Sequence, residues 1–184
     1  MTPEIYLIVP ADAPADAVEG RLAETYARTK VAALLLPRGT RAEGDYRALV
    51  KAIAPAAQGA GAAVLIEGEL GLVRTLKADG LHVGGGLADL RAAIEALKPD
   101  FIVGAGNIRT RHEAMQKGEA GIDYILFGPL SGPISPSERE LARWWAETME
   151  VPSVLSDPVA DLATFDAEGC EFIGLSAFAG ANVP

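Results

Sequence analysis

One pattern recurs along this chain: an acidic residue, a run of apolar residues, and then glycine or serine. It begins at Asp79 (DGLHVGG), Asp100 (DFIVGAG), Asp123 (DYILFGPLSGP) and Glu171 (EFIGLSA). The first three copies start roughly 20 residues apart, and apolar residues at helical spacing fill the gaps between them. A buried strand followed by a crossover helix at this interval is a βα unit of a parallel sheet. The pattern therefore predicts an α/β protein built from repeated βα units.

Strand candidates continue at similar intervals through the whole chain. They start at Ile5, Val31, Ala62, Leu81, Phe101, Tyr124, Ser153 and Phe172. Eight parallel strands are the number that closes a barrel. The first strand lacks the Gly-x-Gly-x-x-Gly turn that is typical of dinucleotide-binding open sheets. We therefore expect residues 1–184 to form one domain, a compact parallel TIM (β/α)8 barrel.

Three local features refine this expectation. A helix is predicted over Glu43–Gln58, and Pro55 near its end favours an early stop. The loop Leu130–Pro136 is the longest stretch without periodicity, and its glycine and proline residues predict a mobile lid. Trp144 and Trp145 are neighbours on a later predicted helix and point about 100° apart. One of them is a candidate contact in a homodimer, and the alternative is a core helix with one partly exposed tryptophan.

Charge and cysteine content exclude several classes of function. The 16 Lys and Arg residues are scattered among 25 Asp and Glu residues, giving a net charge of −9 without a basic stripe for nucleic acid. The single cysteine cannot form an internal disulfide, and no apolar run approaches the roughly 18 residues of a membrane span. The first residues, MTPEIYLIVPADAP, lack the basic region of a signal peptide. We predict a cytoplasmic protein with neither nucleic acid nor membrane as a partner.

The predicted barrel divides the polar residues between its two ends. Residues that follow strands lie at the carboxyl end of the barrel, where TIM barrels place their chemistry. The acids that precede strands lie at the opposite end. We therefore interpret these acids, Asp79, Asp100, Asp123 and Glu171, as structural.

Three segments resemble thiamine phosphate synthases and their thiazole tautomerase relatives. LIEGELGLVRTLKADGLHVG (Leu65–Gly84) is similar to a strand-helix-strand segment of that family. DYILFGPLSGP is similar to its strand six and phosphate-side loop, and FIGLSAFA is similar to its final strand. The resemblance covers nearly the whole chain. It implies a TIM barrel of thiamine biosynthesis and a transferase that joins a pyrimidine methyl diphosphate to a thiazole phosphate with Mg²⁺.

The charged groups which that reaction needs are missing at most matching positions. Arg38 is displaced from the family's Gln-x-Arg-x-Lys element, Glu67 replaces the Asn of its Asn-Asp metal pair, and Ser156-Asp157 replaces its Gly-Gly phosphate turn. Its other polar and charged positions fall on or near Leu35, Pro37, Gly39, Gly68, Leu87 and Pro136. Losing one preorganised charge typically costs about 3 kcal/mol of transition-state stabilisation. The comparison implies a divergent member without the usual synthase activity, without metal ligands and without a cofactor.

Two functions remain open on these residues. In the first, Glu67 and His82 are the acid and base of a tautomerase-like proton transfer. The alternative for His82 is a barrel-interior side chain, and for Glu67 a solvated acid at the rim. In the second, the protein binds a small phosphorylated or aromatic ligand without catalysis. Backbone N–H groups of Gly84–Gly86 and of Ser176, Ala177 and Phe178 would hold an anion.

Further ligand-binding candidates follow the strands, namely Arg38, Asn107, Arg109, Ser131 and Ser156. The alternative for Asn107 is a helix N-cap. The segment VGAGNIRT also resembles the fifth strand of ketodeoxyphosphogluconate aldolases. That class needs a lysine at the end of an interior strand, and the lysines here fall on predicted helices or ahead of strands, so we set an aldolase aside. Two histidines, His82 and His112, make a zinc site improbable.

Overall fold

The eight predicted strands close into a parallel barrel in which each strand pairs with its neighbours in chain order and β8 returns to β1. The structure is a computed structural model and describes residues 2–178. The strands are β1 (Glu4–Ile8), β2 (Val31–Leu36), β3 (Ala63–Ile66), β4 (Gly80–Val83), β5 (Ile102–Ala105), β6 (Tyr124–Phe127), β7 (Ser153–Ser156) and β8 (Phe172–Ser176). The TIM-barrel prediction is confirmed.

Six helices cover the outside of the barrel within residues 2–178. They are α1 (Ala15–Tyr26), α2 (Glu43–Gly59), α3 (Leu70–Thr75), α4 (Leu87–Leu97), α5 (Arg111–Gly118) and α6 (Pro136–Thr148). Between β7 and β8 the chain forms turns instead of a regular helix. None of the helices in this part of the chain is long and apolar enough to cross a membrane.

Alternation along the strands separates two apolar cores. One lies between the barrel and its helices and includes Leu34, Ile66 and Phe127. The other fills the barrel itself and includes Leu65, Leu126 and the tyrosines at 6 and 124. This division arises because successive residues of a strand face opposite sides of the sheet, so alternate side chains point into the barrel and towards the helices.

Three of the four predicted structural acids bind the amino ends of neighbouring strands. Asp79 accepts the N–H of Val64 at 2.7 Å, and Asp123 accepts that of Val103 at 2.8 Å. Glu171 accepts the N–H of Ser153 at 2.8 Å. The structural interpretation is confirmed for these three.

The bonds at the first two acids are reciprocal. The N–H of Asp79 donates back to the carbonyl of Val64, and the N–H of Asp123 donates back to that of Val103. Asp100, by contrast, is exposed, and its ion pair with Arg74 spans 4.0 Å. The same position in the repeat is therefore structural in one unit and solvated in another.

Other expectations were wrong in detail. Helix α2 continues through Pro55 to Gly59. Pro55 lacks the N–H that would bond to the carbonyl of Lys51, but both residues are exposed, so water can replace the missing donor. Phe101, the predicted start of strand five, precedes β5, and the Arg74 guanidinium lies over its ring.

The two adjacent tryptophans differ in environment, as their positions on a helix require. Trp145 is buried, and its Nε1 donates to the carbonyl of Val151 at 2.8 Å. Trp144 is half-buried with the Arg111 guanidinium 4.9 Å from its ring centroid. A role for Trp144 in a homodimer stays a prediction.

Removing the Asp79 carboxylate tests the strand-capping role. Asp79→Ala leaves the N–H of the fully buried Val64 without its acceptor, so we expect the free energy of unfolding in urea to fall by about 2 kcal/mol. The matched control is Asp100→Ala, which removes the same side chain at the equivalent place in the repeat. We expect that control to stay within about 0.5 kcal/mol of the parent chain. Equal losses in the two variants would contradict the role assigned to Asp79.

Candidate ligand site at the barrel mouth

The carboxyl ends of the strands surround a cavity of about 430 Å³, which we call the mouth cavity. Glu67, directly after β3, and His82, on β4, both line it, as does Gly128 after β6. Asn107, Arg109 and Glu138 complete its polar border. The structure thus brings together four of the residues proposed from sequence: the acid, the histidine, the asparagine and the arginine.

The remaining candidates do not all share this cavity. Ser131, Ser176 and Phe178 border a second cavity of about 610 Å³, which we call the outer cavity. It lies beyond Leu130, a residue that lines both cavities. Arg38, Ser156 and Ala177 line neither of the two. The predicted set is therefore two groups of residues instead of one site, and the role of each residue stays a prediction.

Glu67 is half-buried and accepts a backbone hydrogen bond. Its Oε2 lies 2.9 Å from the N–H of Arg38. Arg38 therefore meets Glu67 through its main chain, while its guanidinium faces the carbonyl of Arg41 at 3.5 Å. Burial raises the pKa of Glu67, and the bond from Arg38 opposes that rise in part. The carboxyl group is thus a stronger proton acceptor than a solvated glutamate.

His82 is the most enclosed titratable group of the mouth cavity, with only 3% of its surface exposed. Its Nδ1 lies 2.8 Å from the hydroxyl of Tyr124, which in turn lies 2.9 Å from the hydroxyl of Tyr6. Burial, together with the positive charge of Lys117, lowers the pKa of His82 to about 4. The imidazole is therefore neutral at physiological pH.

Two glycines of β5 and its end make room for these rings. A Cβ at Gly104 would stand 2.0 Å from the ring of Tyr124, and a Cβ at Gly106 would stand 2.5 Å from Nε2 of His82. Real Cβ atoms do not approach other atoms so closely, so a side chain at either position would displace a ring. The two glycines explain how a narrow barrel holds two tyrosines and a histidine.

Lys117 is a residue whose importance the sequence analysis missed. It belongs to α5, but its Nζ is buried and donates to the carbonyls of Gly85 at 3.1 Å and Gly106 at 3.0 Å. Glu113 pairs with it at 3.3 Å. The signal in the sequence was its spacing: Lys117 follows Ala114 by one helical turn, and both residues are buried on the same side of α5. Lys117 ties the turn after β4 to the end of β5, and its charge lies close enough to influence His82.

Asn107 and Arg109 interact with each other, and Arg109 also contacts α6. The Nε of Arg109 donates to Oδ1 of Asn107 at 3.2 Å, and its NH1 lies 3.6 Å from Glu138. The N-cap of α5 is Thr110, which accepts the N–H of Glu113, so Asn107 is not a cap. The mouth cavity is therefore bordered by two carboxylates and a single guanidinium that is already paired.

The three backbone N–H groups proposed to hold an anion at the last strand have hydrogen-bond partners within the protein. The N–H of Ser176 donates to the carbonyl of Pro158 at 3.2 Å, and that of Ala177 donates to Ile8 at 2.8 Å. The N–H of Phe178 donates to Oγ of Ser176 at 3.1 Å. The first two of these bonds join segments far apart in sequence, which is why the repeat pattern did not reveal them. An anion would have to displace internal partners.

Two carboxylates of the protein itself, those of Asp89 and Asp157, lie at the triple-glycine turn and directly after β7. Asp89 accepts the N–H of Gly86 at 3.2 Å, so a carboxylate already occupies that donor. Asp157 donates its N–H to Gly174 and pairs with Arg139 at 3.5 Å. The Oγ of buried Ser156 donates to the carbonyl of Pro129 at 2.6 Å, which fixes the loop instead of leaving the hydroxyl free for a ligand.

The donor set at the predicted metal positions does not fit Mg²⁺. Of the positions that match the family's metal residues, only Glu67 carries a carboxylate, and Arg38 donates to it; Gly68 and Leu87 offer no side-chain oxygen. Within residues 2–178, no three His, Cys, Asp or Glu side chains form a group that could hold a metal ion. Magnesium favours several oxygen ligands in octahedral geometry.

Comparison with known proteins gives consistent matches over most of the chain. Residues 5–156 match the family described as Thiamine monophosphate synthase. The thiamine-phosphate synthase of Hyphomonas neptunium is 35% identical over 185 residues, which cover 94% of this chain and 83% of that protein. The thiamine-phosphate synthase of Rhodospirillum centenum is 30% identical over 155 residues, with 82% and 75% covered.

Solved structures match at the level of the fold. The thiamine phosphate pyrophosphorylase from Pyrococcus furiosus superposes with a TM-score of 0.75 at 16% identity, covering 98% of this chain and 89% of that chain. A 3-keto-L-gulonate-6-phosphate decarboxylase from Vibrio cholerae gives a TM-score of 0.67 at 14% identity, covering 98% and 92%. At these identities the likeness shows the barrel and nothing finer.

The depressed pKa of His82 predicts a pH-dependent stability. Between about pH 6.5 and pH 4 the unfolded chain binds a proton at His82 that the folded protein excludes, so the free energy of unfolding falls as the pH falls. The contribution reaches about 3 kcal/mol at the low end of that window. Urea unfolding across this range should show a smaller decline for His82→Gln than for the parent chain.

The second histidine supplies the control for this experiment. His112 is exposed, so His112→Gln should keep the decline of the parent chain. Glu67 acts in the opposite direction, because its raised pKa lets the folded state bind protons first. The difference between the His82 variant and the parent is therefore the informative quantity, and a difference of zero would contradict burial of a neutral imidazole.

Proposed function

This chain belongs to the thiamine monophosphate synthase family, and from that premise we propose that it is a divergent member which binds a small ligand of low charge in thiamine biosynthesis. We propose further that it does not catalyse the usual Mg²⁺-dependent joining of pyrimidine and thiazole. One observation supports the proposal: the groups expected to hold a diphosphate are replaced, or are already bonded within the protein, at the turn after β4 and after β7 and β8.

Electrostatics supports the same conclusion. Glu67 and Glu138 border the mouth cavity, and the guanidinium of Arg109 that faces them is paired with Glu138. Carboxylates repel a polyanion more strongly in a partly buried site than in water, because the effective dielectric constant is lower. A diphosphate would therefore bind poorly, whereas a monophosphate or a neutral aromatic ligand would meet less repulsion.

Proton transfer is the chemistry that the mouth cavity supports best. Glu67 and His82 line the same space, and their surroundings shift both pKa values, upward for the carboxyl and downward to about 4 for the imidazole, so the carboxylate is the stronger base of the two. Titratable groups perturbed in this way are typical of acid–base sites. A tautomerase-like isomerisation needs such groups and no metal, so we propose that the protein works without a cofactor.

A non-catalytic binding role is the second candidate, and the outer cavity favours it. Val159 and Phe178 border that cavity and expose 62% and 39% of their surfaces. Exposed apolar side chains beside a concavity are typical of binding sites. An aromatic ligand lying there would bury both residues without using Glu67 or His82. The cytoplasmic location and a homodimer through Trp144 stay predictions.

The synthase assay tests the loss of the family reaction. With Mg²⁺, the pyrimidine methyl diphosphate and thiazole phosphate, we expect no measurable product from this protein, because the carboxylates and lysines that hold metal and diphosphate are absent from the matching positions. The Hyphomonas neptunium enzyme, assayed side by side, is the positive reference. Turnover comparable to that enzyme would overturn this part of the proposal.

Calorimetric titration tests the charge preference of the mouth cavity. We expect thiazole phosphate to bind more tightly than the pyrimidine diphosphate, with or without Mg²⁺. Glu67→Gln removes one repelling carboxylate and should strengthen diphosphate binding by about tenfold, the equivalent of 1.4 kcal/mol. Glu95→Gln is the matched control, because it changes the net charge equally at an exposed position of α4. Mg²⁺-dependent tight binding of the diphosphate to the parent chain would contradict the preference.

A further inference from the structure

A chain of hydrogen bonds runs through the barrel interior and ends at the mouth. It links the hydroxyl of Tyr6 to that of Tyr124 and then to Nδ1 of His82. All three residues are buried. Within residues 2–178, neither the Tyr6 hydroxyl nor Nε2 of His82 has any other hydrogen-bond partner. The two ends of the chain therefore determine which way its hydrogens point.

Two arrangements of the hydrogens are possible. In the first, Tyr6 donates to Tyr124, Tyr124 donates to Nδ1, and the imidazole carries its proton on Nε2. In the second, Nδ1 carries the proton and donates to Tyr124, and Tyr124 donates to Tyr6. The second arrangement leaves the hydroxyl hydrogen of Tyr6 without an acceptor in the buried core. The first arrangement places its unpaired N–H on Nε2 of His82 instead, at the mouth cavity, where a ligand or water can accept it. A buried donor without a partner is destabilising, so the first arrangement is favoured.

The position of the imidazole gives this choice a chemical consequence. In the barrel register His82 lies beside Gly104, and Gly104 lies beside Tyr124. Nε2 lies against Gly106, one interior layer nearer to the mouth. His82 also lines the mouth cavity together with Glu67. The ring edge that carries the free N–H is therefore the edge nearer to the ligand.

We propose that Tyr124 holds His82 as the Nε2–H tautomer, so that the imidazole donates a hydrogen bond to the ligand and Glu67 is the group that takes the proton. Tyr124 is a positioning residue, since it acts through His82. A neutral imidazole in this role stabilises negative charge that develops on the ligand, as backbone N–H groups do in an oxyanion hole. This division replaces the symmetrical view in which either residue could be the base.

The proton-transfer step balances without any further reactant. A C–H bond of the ligand breaks, its proton forms an O–H bond with Glu67, and the electron pair moves to the ligand heteroatom that faces Nε2–H. Glu67 then returns the proton to a second atom of the ligand, which completes an isomerisation. The assignment of the tautomer stands on the hydrogen-bond chain, whereas this step rests on the proposed function.

The surrounding charges favour the same proton positions. Burial raises the pKa of Tyr6 and of Tyr124, and the nearby charge of Glu67 raises both further, so both hydroxyls keep their hydrogens. The ammonium group of Lys117 is held by the carbonyls of Gly85 and Gly106, and its positive charge disfavours a positively charged imidazole at His82. The imidazole therefore keeps one proton, and the tyrosine chain determines which nitrogen bears it.

Nitrogen NMR of the full chain tests the tautomer directly. The sequence has only two histidines, so ¹⁵N-histidine labelling of a His112→Gln variant gives the signals of His82 alone. At neutral pH we expect Nε2 to be protonated and Nδ1 to be unprotonated. Tyr124→Phe removes the donor to Nδ1 and should give a mixture of tautomers. Tyr6→Phe is the matched control, and it should keep the Nε2–H form because Tyr124 can still donate.

The outcomes separate the tautomer from the function. The assignment would be overturned by a protonated Nδ1 in the parent chain. It would also be overturned if the spectra of Tyr124→Phe and the parent coincided. Where a variant fails to fold, the parent spectrum alone decides. Deuterium uptake from heavy water into thiazole phosphate, followed by mass spectrometry, tests the step itself. If the protein accelerates deuterium uptake and Glu67→Gln abolishes the acceleration, the proposed step is supported. If the protein does not accelerate uptake, the proton transfer is overturned and the tautomer assignment is unaffected.

Discussion

The contact between Tyr124 and Gly104 is the constraint on which the inside of this barrel depends. The tyrosine ring occupies the space that a side chain at Gly104 would fill, and its hydroxyl meets both Tyr6 and His82. The ring centroids of Tyr6 and His82 lie 5.6 and 5.9 Å from that of Tyr124. A polar group enters the apolar interior without losing its hydrogen bonds, and the histidine reaches the mouth in a defined orientation.

Most of the fold was predictable because its signals are local. The repeated acid and apolar run marks where each strand begins, and the capping carboxylates at Asp79, Asp123 and Glu171 lie at the end of the barrel that this reading assigned to them. The predicted early stop of α2 at Pro55 was wrong. A missing backbone hydrogen bond ends a helix only where water cannot replace it, and the local sequence pattern does not reveal that exposure.

The site was predictable only in part, for a related reason. Glu67 and His82 both line the mouth cavity, because Glu67 directly follows β3 and His82 lies on the neighbouring strand β4. The N–H groups of Ser176 and Ala177, which were proposed to hold an anion, donate to the carbonyls of Pro158 and Ile8, and the second of these partners lies on β1. Lys117 was placed only on a predicted helix, and the sequence did not show that its long side chain reaches the carbonyl of Gly106. Tertiary hydrogen bonds of this kind leave no periodic trace.

Glu171 lies at the seam of the barrel, by which we mean the pairing of β8 with β1. Its carboxylate binds the start of β7, while its carbonyl accepts the N–H of Glu4 at 2.8 Å, so one residue connects the strand before it to the first strand of the described chain. The caps at Asp79 and Asp123 join neighbours within about 20 residues, which short loops can close early in folding. The seam must wait for the last repeat to emerge from the ribosome. Until then the edge of β1 that pairs with β8 has no partner strand, and an edge of this kind is a site at which chains can pair and aggregate.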